Sequence, residues 1–288
     1  MVQNAQSKLS PSNKLGMTFH RSFTLNRPAL SQIIELAGQI ENIPVNGKCL
    51  SKAEIRNLTS LGSIYVEAMP RYGRGSGLLT EGNCLTEFGR FTNDFDPMLN
   101  KSATQWLLHY HLCAVHGSGP LFWNELVSRR FRIGNQFLQQ EVTDQIYEYY
   151  ANIDKSIAID SAKVTASVFL GTYIKQDGLG SLAILDSKKK ESYTVKGPDN
   201  PPTWAFAYAL VDYWEAHYSE RLSINLDDLT NEHGLANLFL MDTAAVTRIL
   251  NELQHAGFVE VYRSAHPYQL LLLSHDKSLA LRNLYGSN

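Results

Sequence analysis

Residues 242–272 read DTAAVTRILNELQHAGFVEVYRSAHPYQLLL, and the punctuation of this stretch decides the fold. Asp242 is a side-chain cap for a helix in which Val246, Ile249, Leu250 and Leu253 fall on one face at the helical period. Gly257 stands where helices end in the left-handed conformation. Phe258 to Tyr262 and Tyr268 to Leu272 then read as two strands around an Arg263 to Pro267 turn. Upstream, Leu226, Leu229 and Leu235 mark a preceding helix, and Trp204 to Tyr218 an aromatic-rich one before it. Three helices and a hairpin are the order of a winged helix-turn-helix unit.

The same order is expected near the N-terminus. From Pro28, the positions Leu30, Ile33, Ile34, Ala37 and Ile40 follow the helical period, with Pro44 beyond the end and an Asn46-Gly47 turn. Ser51 with Glu54 three residues on forms a capping box for a short helix to about Leu58. Ser63 to Leu79 predicts a third helix, short or bent because Pro70 interrupts it and Gly73, Gly75 and Gly77 crowd its end. Apolar residues around Glu81-Gly82-Asn83 predict a small hairpin, after which Thr86-Glu87 opens another helix.

Between these ends the pattern predicts helices over 102–115, 121–131, 139–150 and 165–173, then a short strand near Leu182 to Leu185. The Lys188 to Lys190 run and Gly197-Pro198-Asp199-Asn200-Pro201-Pro202 read as a linker. The expected architecture is therefore mainly α. It has a flexible tail (1–17), an N-terminal winged helix (18–94), a helical middle region (95–197) and a C-terminal winged helix (198–288).

Composition narrows the function classes. A chain of 288 residues with 44% hydrophobic and 19% charged residues has enough apolar material for two or more cores, which excludes disorder as its main state. No apolar run is long enough to span a membrane, and the N-terminus lacks an apolar signal core, so a cytoplasmic protein without a membrane partner is expected. Cys49, Cys84 and Cys113 form no C-x-x-C pair, so neither a disulfide framework nor a zinc ribbon is expected. The net charge of -2 gives no general attraction to polyanions; DNA contact requires a local basic patch. No P-loop, G-x-G-x-x-G or G-x-S-x-G occurs.

Several segments together carry a family resemblance. They are Leu85-Thr86-Glu87-Phe88-Gly89-Arg90, Asp96-Pro97-Met98-Leu99, Thr104-Gln105-Trp106-Leu107-Leu108-His109, Arg71-Tyr72 with Gly77-Leu78-Leu79, and Phe169-Leu170-Gly171-Thr172-Tyr173. This resembles the DUF4007 family, with its L-T-x-x-G, D-P-x-L, T-x-W-L-L-H and F-L-R-T-Y patterns. The family's opening H-E-T-F-P-L-R corresponds here to His20-Arg21-Ser22-Phe23-Thr24-Leu25-Asn26, with Arg21 in place of the acidic residue. The resemblance implies a place in phage-defence clusters that attach sulfur to the DNA backbone. The implied neighbours are a cysteine desulfurase, a phosphosulfate-reductase-like enzyme and an ATPase. It further implies the DNA-binding and DNA-nicking component of single-strand phosphorothioation.

The residues offer matching candidates. Lys52, Arg56, Arg71, Arg74 and Arg90 could grip the phosphates of double-stranded DNA, with Tyr65 and Tyr72 against sugar and the three glycines allowing close backbone approach. The competing reading is a protein-contact or scaffold module, or a transcription regulator, with those arginines solvated. In the second unit Arg248, His255, Arg263 and His266 are offset by Asp227, Asp228, Glu232, Asp242 and Glu252, which favours protein contact there. A nickase would need carboxylates to hold Mg²⁺ or Mn²⁺; Asp177, then Asp186 and Lys188, have the acidic-then-D-x-K order of one nuclease class, but the order is short and common, and a solvated loop after a strand is the better explanation. Otherwise no cofactor is expected. His109, His111, Cys113 and His116 have metal-ligand residue types, but His111 falls on another helix face, so hydrogen-bonded core histidines are the better reading. Self-association remains open on sequence grounds.

Overall fold

The computed structural model describes residues 14–40, 47–189, 191–198, 201–231, 234–264 and 266–286, the side chains of 188 and 189 excepted. It is mainly helical, with two small antiparallel sheets. The first helices are α1 (Arg27–Ile40), α2 (Lys52–Leu58), α3 (Tyr65–Gly75) and α4 (Glu87–Phe95). The capping box is present: Glu54 N–H donates to Ser51 Oγ at 3.2 Å, and Ser51 N–H donates to the Glu54 carboxylate at 2.7 Å. Thr86 caps α4 by accepting the Gly89 N–H at 2.9 Å. Pro70 lies within α3, which ends soon after it.

The expected hairpin before α4 is a single bridge, Leu79 to Leu85, with Thr80 N–H donating to Cys84 O at 2.8 Å. Asn83 takes a positive φ of 56° there, and its amide donates to Leu50 O, so the turn is tied to the segment leading into α2 rather than extended into strands. That same tie overturns the cysteine expectation. Cys49 N–H donates to Gly82 O at 3.0 Å, which brings Cys49 and Cys84 to a Cα separation of 4.9 Å, and they form a disulfide. Cys113 is the buried free thiol. The flexible-tail expectation fails at its C-terminal end: Leu15 N–H donates to Ser118 O, and Leu15 and Met17 pack against the core. Residues 1–13 lie outside the described ones, as do 41–46 with Pro44 and Asn46.

The middle comprises α5 (Ser102–Cys113), α6 (Leu121–Arg130), β1 (Gln136–Leu138), α7 (Gln139–Asn152), α8 (Ile159–Ile174), β2 (Leu185–Lys189) and β3 (Ser192–Val195). β1, β3 and β2 form one sheet in that order, so the expected lone strand is one of three. The remainder is α9 (Thr203–His217), β4 (Ser223–Asn225), α10 (Asp227–Thr230), α11 (Leu235–Leu238), α12 (Thr243–His255), β5 (Val259–Tyr262), β6 (Gln269–Leu272) and α13 (Lys277–Tyr285). Asp242 caps α12 by accepting the Ala245 N–H at 2.8 Å, and Gly257 follows it at φ +70°. The expected helix around Leu226 to Leu235 is two short ones preceded by β4, which pairs with β6.

Trp106, Trp123, Trp214, Tyr72, Tyr110 and Tyr173 are fully buried. α13 packs on α9 and α4, and its Tyr285 hydroxyl lies 2.9 Å from Thr104 Oγ1 and 3.2 Å from Thr92 Oγ1. No helix among the described residues is long and apolar enough to cross a membrane.

Candidate nucleic-acid interface

Of the cationic residues expected to grip phosphate, Lys52 and Arg56 lie on α2, Arg71 and Arg74 on α3 and Arg90 on α4, and the structure divides them. Lys52 and Arg56 are exposed on α2. Lys52 pairs with Glu67 at 2.5 Å, and Arg21 pairs with the same carboxylate at 3.2 Å. The Lys52 hydrogen bond and charge, helped by Arg21 and Arg71, hold the Glu67 carboxyl below its ordinary range. Arg90 is exposed on α4.

Arg71 and Arg74 are one helical turn apart on α3, both half-buried, and line a depression of about 280 Å³ with Lys52, Glu67 and Glu81. Arg71 Nη1 donates to Phe19 O at 3.4 Å. Arg74 Nε is buried with no hydrogen-bond partner. Burial and then the neighbouring Arg71 charge lower the Arg74 pKa, with Glu81 opposing them. Two adjacent guanidinium groups, one with an unused donor, are a site that gains from an anion.

One expected contributor does not belong to this surface, and a second is on it only in part. Tyr72 is fully buried; its hydroxyl donates to Phe23 O at 2.9 Å, and burial pushes its pKa well up. Tyr65 is half-buried, edge-on to Phe23 with ring centroids 4.8 Å apart. Nor do the three glycines open onto a groove. A Cβ at Gly73 would lie 2.6 Å from Leu79 Cδ1, at Gly75 2.7 Å from Leu15 Cδ1, and at Gly77 2.4 Å from the His111 ring. These glycines admit core side chains, not phosphate.

Beside the depression is a second concavity, of about 480 Å³, between the His20–Ser22 turn and the start of α8. Arg21 and Ser22 have φ of 49° and 68°, left-handed values unusual for residues with a Cβ. His20 is buried, accepts the Ser22 N–H on Nδ1 at 2.9 Å, and has Nε2 3.2 Å from Thr165 Oγ1. Burial lowers its pKa to about 4, so the ring is neutral near neutral pH.

Asp177 and Asp186 each have a partner of their own. Asp177 is exposed and accepts the Asn26 amide at 2.8 Å. Asp186, on β2, lies 4.0 Å from Lys196 Nζ. The Lys188 side chain lies outside the described ones. No group of three or more His, Cys, Asp or Glu that could hold a metal occurs among the described residues. On α12, Arg248 pairs with Glu252 at 2.9 Å, and Arg263 donates to Asn251 at 2.8 Å. His255 donates to Asn251 O, and the His266 ring stacks on Tyr268.

The α5 histidines are polar groups of the core. His109 bonds to Tyr173 and Leu238, and His111 stacks on Phe88 with Nε2 unpartnered. His116 lies 2.7 Å from Asp212, which also accepts Tyr110 OH at 2.9 Å and Lys277 Nζ at 3.3 Å. Burial alone would raise the Asp212 carboxyl; the His116 hydrogen bond and the charges of His111, His116 and Lys277 outweigh it and hold the group below its ordinary range. Sequence reading missed this network, although an acid inside the aromatic run Trp204 to His217 was its one signal.

A family model described as "Protein of unknown function (DUF4007)" matches residues 66–285. Two solved structures share the fold. The "Magnesium ion-bound SspB crystal structure" has a TM-score of 0.73 at 17% identity, covering 93% of this chain and 87% of that chain. The "SspB crystal structure" has a TM-score of 0.71 at 16% identity, with the same coverages of 93% and 87%. No curated protein matches the chain.

Proposed function

The chain belongs to the DUF4007 family, and from that premise we propose that it is a DNA-binding subunit of a phage-defence assembly that modifies DNA by phosphorothioation. Its partners in that reading are double-stranded DNA, a cysteine desulfurase, a phosphosulfate-reductase-like enzyme and an ATPase. The observation that carries the proposal is the Arg71–Arg74 pair, half-buried side by side with an unused Arg74 donor. The winged-helix reading of both ends belongs to the same proposal: α1 to α3 with the Leu79–Leu85 bridge, and α9 to α12 with the β5–β6 hairpin. A role for Lys52, Arg56 and Arg90 as flanking phosphate contacts completes it.

Binding of a labelled duplex across a salt series tests this. Arg71→Ala and Arg74→Ala should each weaken binding and reduce the slope of log affinity against log salt by about one unit, because each lost phosphate contact leaves about one counterion unreleased. Unchanged slopes in both variants would remove this face from the DNA.

The magnesium ion of the similar structure favours a second reading, a metal-dependent nicking endonuclease. The side chains here do not fit it: Asp177 and Asp186 are engaged elsewhere and no metal-holding set is formed among the described residues. Open-circle product from supercoiled plasmid in Mg²⁺ or Mn²⁺, abolished by Asp186→Ala, would reinstate the reading.

A further inference from the structure

We propose that the cleft between the His20–Ser22 turn and the start of α8 is a nucleoside pocket, which receives one unpaired nucleotide of the DNA held on α3. The inference rests on the DNA-binding reading and goes beyond it by assigning a second site and its ligand class. At about 480 Å³ the cleft is within the size range of small-molecule sites, about 300–1,000 Å³.

Its lining is suited to a neutral base and sugar. Ile64 and Val164 are 45% and 41% exposed, and both face this cleft, leaving aliphatic surface in water that a flat base would cover. The hydroxyls of Thr18, Ser22 and Ser161 line it and make no hydrogen bond to another side chain or backbone group among the described residues, so they can read base edges or a sugar hydroxyl. Thr165 is already spent: its hydroxyl donates to Ser161 O at 2.8 Å and faces His20 Nε2. His20, engaged at both ring nitrogens, is a fixed wall. The left-handed Arg21 and Ser22 backbone is a costly conformation that places both side chains on the rim.

Charge argues against a bare anion here. Asp160 lines the cleft, and the guanidinium of Arg21, its one cationic lining residue among those described, is paired with Glu67. Glu67 in turn lines the depression holding Arg71 and Arg74. The Arg21–Glu67 pair therefore joins the two concavities. A strand whose phosphates sit on α3 can turn one nucleotide out past that pair, as enzymes that handle single bases do.

Methyl-resolved NMR of the full chain, titrated separately with deoxyadenosine and with inorganic phosphate, tests the pocket. Saturable shifts at the Ile64 and Val164 methyls with nucleoside alone are expected; Ser161→Trp, or Thr18→Trp should the first fail to fold, should abolish them, whereas Arg71→Ala should not. No shift with nucleoside, or equal shifts with phosphate, overturns the proposal. A second arm compares a paired duplex with one carrying an extrahelical 2-aminopurine. Tighter binding of the second, reduced by roughly tenfold in the blocked variant with paired-duplex affinity unchanged, supports the pocket. Binding of both duplexes with equal affinity overturns it. A protein that binds nucleoside but neither duplex keeps the pocket and refutes the α3 surface, which separates the two failures.

Discussion

Tyr173 donates its hydroxyl to Nδ1 of His109 at 2.8 Å, and both side chains are wholly buried. Leu238 O, 2.7 Å from His109 Nε2, can only accept, so Nε2 carries the proton and Nδ1 must be the acceptor. The Trp123 indole N–H donates to the same Tyr173 oxygen at 2.8 Å. One chain of hydrogen bonds thus runs from α6 through α8 and α5 to α11.

Tyr173→Phe removes the centre of that chain while keeping the ring. It leaves the Trp123 N–H and His109 Nδ1 unpaired and buried, so the cost should be about 1–3 kcal/mol of stability. Urea unfolding followed by tryptophan fluorescence measures it; an unchanged midpoint would mean the buried groups find other partners.

Acid should destabilise the protein in a defined window. Burial lowers His109 and His111 to about 4, against an unfolded value of about 6.5. A histidine with a depressed native pKa binds its proton more readily in the unfolded chain, so stability falls as pH drops from about 6.5 toward 4 and is whole above it. Each contributes up to roughly 3 kcal/mol over that range. Asp212, also held low, adds its loss only below its ordinary carboxylate value, near 3.8. His109→Gln should flatten the slope between about pH 6.5 and 5; a slope identical to wild type would place the titration elsewhere.

How far the sequence could be read depended on how local each signal was. Asp242, Gly257, and Ser51 with Glu54 act within one turn of helix, and all three appear where their spacing predicts. The T-x-W-L-L-H and F-L-x-T-Y segments were legible as motifs, but only folding shows that His109 and Tyr173 meet across 64 positions. β1 pairs with β3 through Phe137 and Tyr193, a long-range partnership that alternation over three residues could not announce. Tyr72 and the neighbouring glycines misled for one reason: a residue type useful against DNA is equally useful in a core, and only burial distinguishes the two.

The Cys49–Cys84 link gives a direct chemical check. Alkylation of the denatured, unreduced protein should modify Cys113 alone, and prior reduction should make all three thiols reactive. Intact mass reads the difference. Three labels without reduction would show that the pair is held as thiols.

Gly77 separates two reasons for being glycine. Its φ of +78° disfavours any side chain, and an added Cβ would also fall 2.4 Å from the His111 ring. Gly134 has a similar φ of +84° with nothing within 4 Å of its missing Cβ. Gly134→Ala therefore measures backbone strain alone, about 1 kcal/mol. Gly77→Ala adds displacement of a buried imidazole stacked on Phe88 and should cost clearly more, by about 1–3 kcal/mol as overpacked cores do. Thermal unfolding of the two variants compares them directly. Equal losses would mean His111 yields without cost, and space above Gly77 for a phosphate would again be available; a larger loss at Gly77, with the salt slope of DNA binding unchanged, assigns this glycine to the core and leaves the anion to Arg71 and Arg74.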